Sequence, residues 1–224
     1  MIAPTTRMRA IYDRVKERQP EIFGKSKLTV PGQLRCEASL QGTLNQVTFN
    51  LLENQGTQNG TERRLKITDN FIVTDYGFYL MKAGASTTAT QAEIAVAILR
   101  TWPNPIVFTG AAEAVNLGAV YNGKHRILVN SDLFVDDALN SRFRRVPVTQ
   151  KGNGPALAMQ EDGWDNMNYG LVPCEPTLAF SGIGKNEVSV ILPAPILTSG
   201  TSSQNFLVFF ANGFNIVNAN TGRL

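Results

Sequence analysis

The chain holds 224 residues, 17% of them charged, with a formal net charge of +3. That charge is too small to hold nucleic acid over the whole surface, and one histidine rules out a histidine-rich metal centre. No stretch approaches the roughly 18 apolar residues that a membrane-spanning helix needs.

Asn, Gln, Thr, Ser and Gly take the place of the missing charge, and the length suits one large all-β domain. The charge is unevenly spread. Residues 1–35 carry eight Lys or Arg against three Asp or Glu, a net +5, which leaves −2 for the rest. Residues 5–19 predict a helix. Met8, Ile11, Tyr12 and Val15 recur at i, i+3, i+4 and i+7 and share one face. Arg7, Arg9, Arg14 and Arg18 fill the other face, and Pro20 stops the helix. The apolar stripe needs a protein surface, which is either the end of its own sheets or a neighbouring subunit. A stripe without Trp or Phe disfavours docking on a membrane. Met1 is followed by Ile-Ala-Pro-Thr-Thr and then charges, with no secretory pattern, so synthesis in the cytoplasm is expected.

Residues 21–35 read as a connector with Gly24, Pro31 and Gly32. The expected division is therefore a basic helix and connector over 1–33 and a β-sandwich over 34–224. Period-two alternation starts at Leu34, Cys36, Ala38 and Leu40 and resumes at Val47, Phe49 and Leu51, as in half-buried strands. Asn54 to Gly60 has turn chemistry throughout. Leu65 and Ile67 open a further strand, Phe71 and Val73 another, and Phe78, Leu80 and Met81 one more beyond Tyr76-Gly77. Gln91 to Leu99 reads as a short helix or a buried strand, with Thr90 and Glu93 spaced as a capping box. Ile106-Val-Phe108 reads as a strand and Ala111 to Leu117 as a turn or two of helix. Asn122-Gly123 marks a turn before strands at Arg126–Val129 and Leu133–Val135. Residues 150–172, with Trp164 and Tyr169, form a long irregular loop suited to contacts. Val188, Val190 and Leu192 alternate again. Phe206 to Val217 carries Asn212-Gly213 between apolar runs and predicts a hairpin. Short strands without regular β-α alternation predict an antiparallel β-sandwich or jelly roll with a short N-terminal amphipathic helix.

Chemistry is sparse. His125 lies between Lys124 and Arg126 with no orienting carboxylate nearby in sequence, and reads as a surface or strand-edge histidine rather than a catalytic base. Asp136-Asp137 and the trio Glu161, Asp162 and Asp165 read by default as solvated turns, with a calcium ion held in a loop as the alternative, although the spacing does not match an EF-hand. Cys36 and Cys174 show no metal spacing and read as buried thiols, with their pairing open. Gly182-Ile-Gly184 lacks the rest of a phosphate cradle and reads as a turn. Arg142, Arg144 and Arg145 flank Phe143 in a compact basic cluster. It suits phosphates or a partner's acidic face, or a strand that buries the ring and leaves the arginines wet. The residues therefore predict no enzyme, no cofactor and no metal.

Three stretches resemble virion proteins: Leu99-Arg-Thr-Trp-Pro-Asn-Pro-Ile-Val-Phe108, Val120-Tyr-Asn-Gly followed by Arg126-Ile-Leu-Val-Asn130, and Arg142-Phe-Arg-Arg-Val-Pro-Val-Thr-Gln150. Together they are similar to jelly-roll capsid proteins of bacterial viruses. The resemblance implies a structural subunit of a phage particle, made in the host cytoplasm and packed with copies of itself and other virion proteins into the capsid shell. No site residues come with it. The expected subunit contacts are Met8, Ile11, Tyr12, Val15, Arg7 and Arg14 on the helix, Arg142, Arg144 and Arg145 in the basic cluster, and Trp164 and Tyr169 in the long loop. A genome-binding arm is usually a disordered Lys/Arg run, whereas this basic segment is helical and includes acids. Subunit docking is thus favoured over its weak contact with nucleic acid. Two other readings stand beside the shell: a tail or neck connector, which forms rings, and a carbohydrate-binding β-sandwich module or hydrolase.

Overall fold

Alternating apolar and polar side chains build two strands early in the chain, β1 (Leu28–Ser39) and β2 (Thr43–Phe49). The computed structural model describes residues 4–18, 20–23, 28–84, 89–109, 113–145, 170–197 and 204–221, and places these strands in different sheets. After β3 (Asn70–Ala83) come the short helix α2 (Gln91–Val96) and the two-residue β4 (Leu99–Arg100). A helix, α3 (Glu113–Asn122), precedes β5 (Lys124–Val129) and β6 (Asp132–Leu139). The chain finishes with β7 (Val172–Ser181), β8 (Glu187–Leu197) and β9 (Gln204–Val217). Ahead of them all lies α1 (Pro4–Arg18).

Two antiparallel sheets pack as a sandwich. The first runs β1-β9-β3, with β7 and β4 sharing the far side of β3; the second runs β2-β8-β5-β6. The pairing is nested: β1 with β9, β2 with β8, β3 with β7, and β5 with β6. The chain is thus a long hairpin of four strand pairs, rolled so that successive pairs fall alternately in one sheet and the other. The pairs β9–β3 and β8–β5 close each sheet across the roll.

Between the sheets, Leu34, Phe49, Phe78, Phe180, Val190 and Phe209 form the main core. The first sheet is also covered on its outer face. At one end Ile11 and Val15 of α1 pack on Ile72, Ile216 and Ala219, while the Tyr12 ring meets Phe23 and Phe214 edge-on at 5.5 and 5.6 Å. At the other end Ile94 of α2 packs with Tyr79, Met81, Phe206 and Val208. Burial on both faces explains why β3 and β9 are runs of large apolar residues without alternation.

This two-sided burial overturns several expectations. Phe206 to Val217 is one strand of a three-stranded ladder, not a hairpin. Asn212-Gly213 sits in mid-strand, opposite a register shift between Val73 and Asp75. Gly213 is there because a Cβ at this position would run into the Ile72 carbonyl. Phe71 to Met81 is likewise one strand, since Tyr76-Gly77 continues the ladder. β1 begins at Leu28, inside the segment read as connector. Ile106-Val-Phe108 is a turn, because the Asn104 side-chain oxygen accepts from the Ile106 N–H at 2.9 Å and its carbonyl accepts from Val107 and Phe108. Leu65 makes only an isolated bridge to Leu52, and Asp136-Asp137 lies within β6 rather than in a turn.

The capping box is present: the Thr90 side chain accepts from the Glu93 N–H, and the Glu93 side chain accepts from the Thr90 N–H. A Thr90→Ala chain is expected to be less stable by about 1 kcal/mol in urea denaturation, as for other N-cap losses.

Candidate functional site

Polar side chains cluster at several places in the sandwich among the described residues. The first lies inside the core. In β5 the side chains alternate, so Lys124 and Arg126 point to solvent and His125 between them points inward, fully buried. Asn140 donates its Nδ2–H to the Val120 carbonyl at 2.9 Å, which turns its Oδ1 towards His125 Nδ1 at 2.8 Å. Nδ1 therefore carries the ring proton, and Nε2 accepts from the Tyr76 hydroxyl at 3.0 Å. The Tyr76 oxygen in turn accepts from Arg142 at 2.7 Å. The Arg142 guanidinium also lies 4.9 Å from the Phe143 ring centre and 5.5 Å from that of Tyr76.

Burial drives the His125 pKa down from 6.5 to about 4, against the pull of the Asn140 bond and with help from the Arg142 charge. Burial also raises Tyr76 to about 12. Both nitrogens of the ring are occupied, and neither partner is a carboxylate. The group is neutral and fixed, unlike a general base poised near neutrality. This corrects its reading as a surface or edge histidine: the basic neighbours belong to the opposite face of the strand and say nothing of its surroundings.

The second cluster joins β1 to the loop after β2. Glu37 accepts from Arg35 (2.8 Å), Thr61 (2.6 Å) and Asn59 (2.9 Å). Glu62 accepts from the Glu37 N–H (2.8 Å), from the Asn59 N–H (2.7 Å) and twice from Arg64. Arg64 also donates to the carbonyls of Gln55 and Thr57. These side chains border a polar groove of about 320 Å³ between the β1 and β2 edges of the sandwich. The acids are saturated with donors, so the network pins the loop to the sheet. No aromatic side chain lines the groove.

In the third cluster, Glu113 at the start of α3 receives Lys82 of β3 and Asn205 of β9, with all three at the inner face of the first sheet.

The residues expected at subunit contacts are dispersed. The apolar stripe of α1 finds its cover within its own chain, through Ile11, Tyr12 and Val15, so it needs no neighbour to bury it. Arg9 and Arg14 are exposed, and the side chains of Arg7 and Met8 lie outside the described residues. Arg142 is drawn to Tyr76 over the buried Phe143, and Arg144 and Arg145 are exposed. Trp164 and Tyr169 lie outside the described residues, as do Glu161, Asp162 and Asp165. Asp137 forms ion pairs with Arg126 at 2.7 Å and Lys124 at 3.6 Å. Both cysteines are buried thiols, and burial raises the pKa of Cys174 to about 11 and that of Cys36 further still. Among the described residues no three His, Cys, Asp or Glu side chains stand close enough to hold a metal ion, and no helix is long and apolar enough to cross a membrane. Comparison with known proteins gives no counterpart: no family model, no curated protein and no solved structure matches the chain.

Proposed function

We propose that the chain is a structural subunit of a virus particle, a bacteriophage shell protein that assembles with copies of itself and acts as no enzyme. The observation that carries this reading is the nested strand order. Pairing first with last, second with second-last and so on, in two four-stranded sheets once β4 is set aside, supports a jelly roll, an architecture used by viral shells and also by lectins and cupins. Fold alone does not fix function. The polar clusters supply the second support. The only histidine is locked in the core, and the acids of the one groove described are held by arginines. A sugar-binding or hydrolytic reading wants an aromatic platform and an unengaged pair of acids, and the groove lining offers neither.

The strand edges favour one mode of assembly over another. β1 carries Pro31 and is bridged through Arg35 to Arg63. β2 has a register shift between Leu44 and Gln46. β6 has two shifts and holds Asp137 at φ 45°, and β7 carries Pro173 and Pro176. Prolines and bulges of this kind blunt an edge against pairing with another chain. Subunits are therefore expected to meet through faces and loops, with Arg144 and Arg145 and apolar side chains left in water, such as Val96, Ile98, Leu133 and Leu139, at the contacts. Native mass measurement and electron microscopy of purified protein should reveal a closed, symmetric assembly. A ring would move the reading to a tail or neck connector, and a strict monomer at high concentration would end it.

A further inference from the structure

We propose that Lys82 and Asn205 are joined by a covalent amide bond between their side chains, formed by the protein itself with Glu113 as the catalytic residue. Lys82 and Asn205 are register partners on the neighbouring strands β3 and β9. Directly opposed residues present their side chains on the same face, with Cβ atoms about 5 Å apart. Glu113 reaches both from α3. Its Oε2 lies 3.2 Å from Lys82 Nζ, and its Oε1 accepts from Asn205 Nδ2 at 2.6 Å. The Glu113 side chain is 1% exposed and Asn205 is 0% exposed, while the Lys82 side chain reaches in from the margin with 17% exposure. Nζ is steered as well, since it donates to the Val107 carbonyl at 2.8 Å and sits 5.9 Å from the centre of the Phe108 ring. One buried carboxylate thus holds an amine and a primary amide side by side.

The reaction balances without a further reagent. Passing a proton from Nζ to Oε2 within their contact converts the ion pair to a neutral amine and a carboxylic acid. The amine lone pair attacks Cγ of Asn205, and the Nζ–Cγ bond forms. Glu113 delivers its proton to Nδ2 and takes the second proton from Nζ. The Cγ–Nδ2 bond breaks, ammonia leaves, and a secondary amide remains. A further observation fits this course. The Oδ1 of Asn205 is buried with no hydrogen-bond partner, a state that needs an explanation in a native core. With Glu113 as a carboxylic acid, a half-turn of the Asn205 amide gives that oxygen an O–H donor and polarises the carbonyl for attack.

The product ties the strand at the centre of the first sheet to the last strand of the chain. This holds whether or not the protein builds a particle, and its test is separate from that of assembly. The intact chain, weighed by mass spectrometry under denaturing conditions, is expected to be about 17 Da lighter than its sequence, the mass of one ammonia lost on amide formation. Trypsin should fail to cut after Lys82 and should release one joined peptide that contains both Lys82 and Asn205. A chain at full sequence mass overturns the proposal. So does the same loss without the joined peptide, because ring closure at Asn59-Gly60 or another Asn-Gly step also releases ammonia. Glu113→Gln, which keeps the shape but cannot carry the proton, is expected to restore the full mass, as is Lys82→Arg. A Glu113→Gln chain that is still cross-linked overturns the part given to Glu113.

Discussion

A Gly213→Ala chain is expected to lose at least about 4 kcal/mol of stability, most of what holds a domain at the lower end of the usual range of about 5–15 kcal/mol. The reason is local. At Gly213, β9 crosses the register shift in β3, where Val73 pairs with Gly213 and Asp75 with Asn212. A methyl group there would overlap the Ile72 carbonyl oxygen and stand 3.0 Å from the Phe71 ring. Both belong to the interior of the first sheet, and neither is the loose end of a flexible side chain. The sheet would have to open along its longest ladder. Gly118 gives the matching control. It lies within α3 with nothing near the position of a Cβ, so Gly118→Ala is expected to stabilise the protein by about 0.5–1 kcal/mol. Urea midpoints of the two variants should move in opposite directions. A Gly213→Ala chain as stable as the parent would be incompatible with the β3–β9 register.

That glycine also shows where sequence reading stops. Strands with one wet face were legible, because β1 and β2 alternate apolar and polar residues. The N-terminal helix was legible from its stripe, and the Thr90 and Glu93 spacing made α2 one of two readings of its segment, beside a buried strand. The central strands were not. β3 and β9 are covered on both sides, and a strand of that kind loses its period. Asn-Gly is a hairpin signal only when the flanking segments pair with each other. Here both halves of β9 pair with β1 and β3 instead, and the glycine serves close approach rather than a turn.

His125 was misplaced for a different reason. The basic neighbours Lys124 and Arg126 suggest a wet, cationic setting, but a strand puts them on the face opposite the ring. The Lys82, Glu113 and Asn205 cluster left no trace in the sequence. Its members are separated by 31 and 92 residues, and only the nested roll of the strands brings them together. Tyr76, Asn140 and Arg142 are gathered around the histidine by the same topology.

The buried histidine predicts how the protein responds to acid. In the unfolded chain His125 takes a proton near pH 6.5, whereas in the folded core it does so only near pH 4. Between those values the unfolded state binds more protons, so stability rises with pH across the window and falls as the solution is acidified. The contribution is fully present above about pH 6.5 and is lost by about pH 4, and the gap corresponds to about 3 kcal/mol. Protonation also reverses the role of Nε2. It now accepts from Tyr76, and as a donor it would face a hydroxyl that already receives a hydrogen bond from the Arg142 guanidinium. The groups around the ring offer no anion to balance the new charge: Tyr76 and Phe78 from β3, Asn140, Arg142 and Phe143 from the turn after β6, and Lys124 and Arg126 beside it on the opposite face. Acid should therefore loosen the turn Asn140–Phe143 first, because that turn is anchored by Asn140 and Arg142. Urea midpoints measured from pH 8 to pH 4 should fall more steeply in the parent than in His125→Gln, which lacks the titrating ring and starts from a lower stability. Carboxylates shared by both chains contribute equally and cancel in the difference. Parallel pH profiles for the two chains would mean that the ring is charged, or exchanges freely with water, in the folded protein.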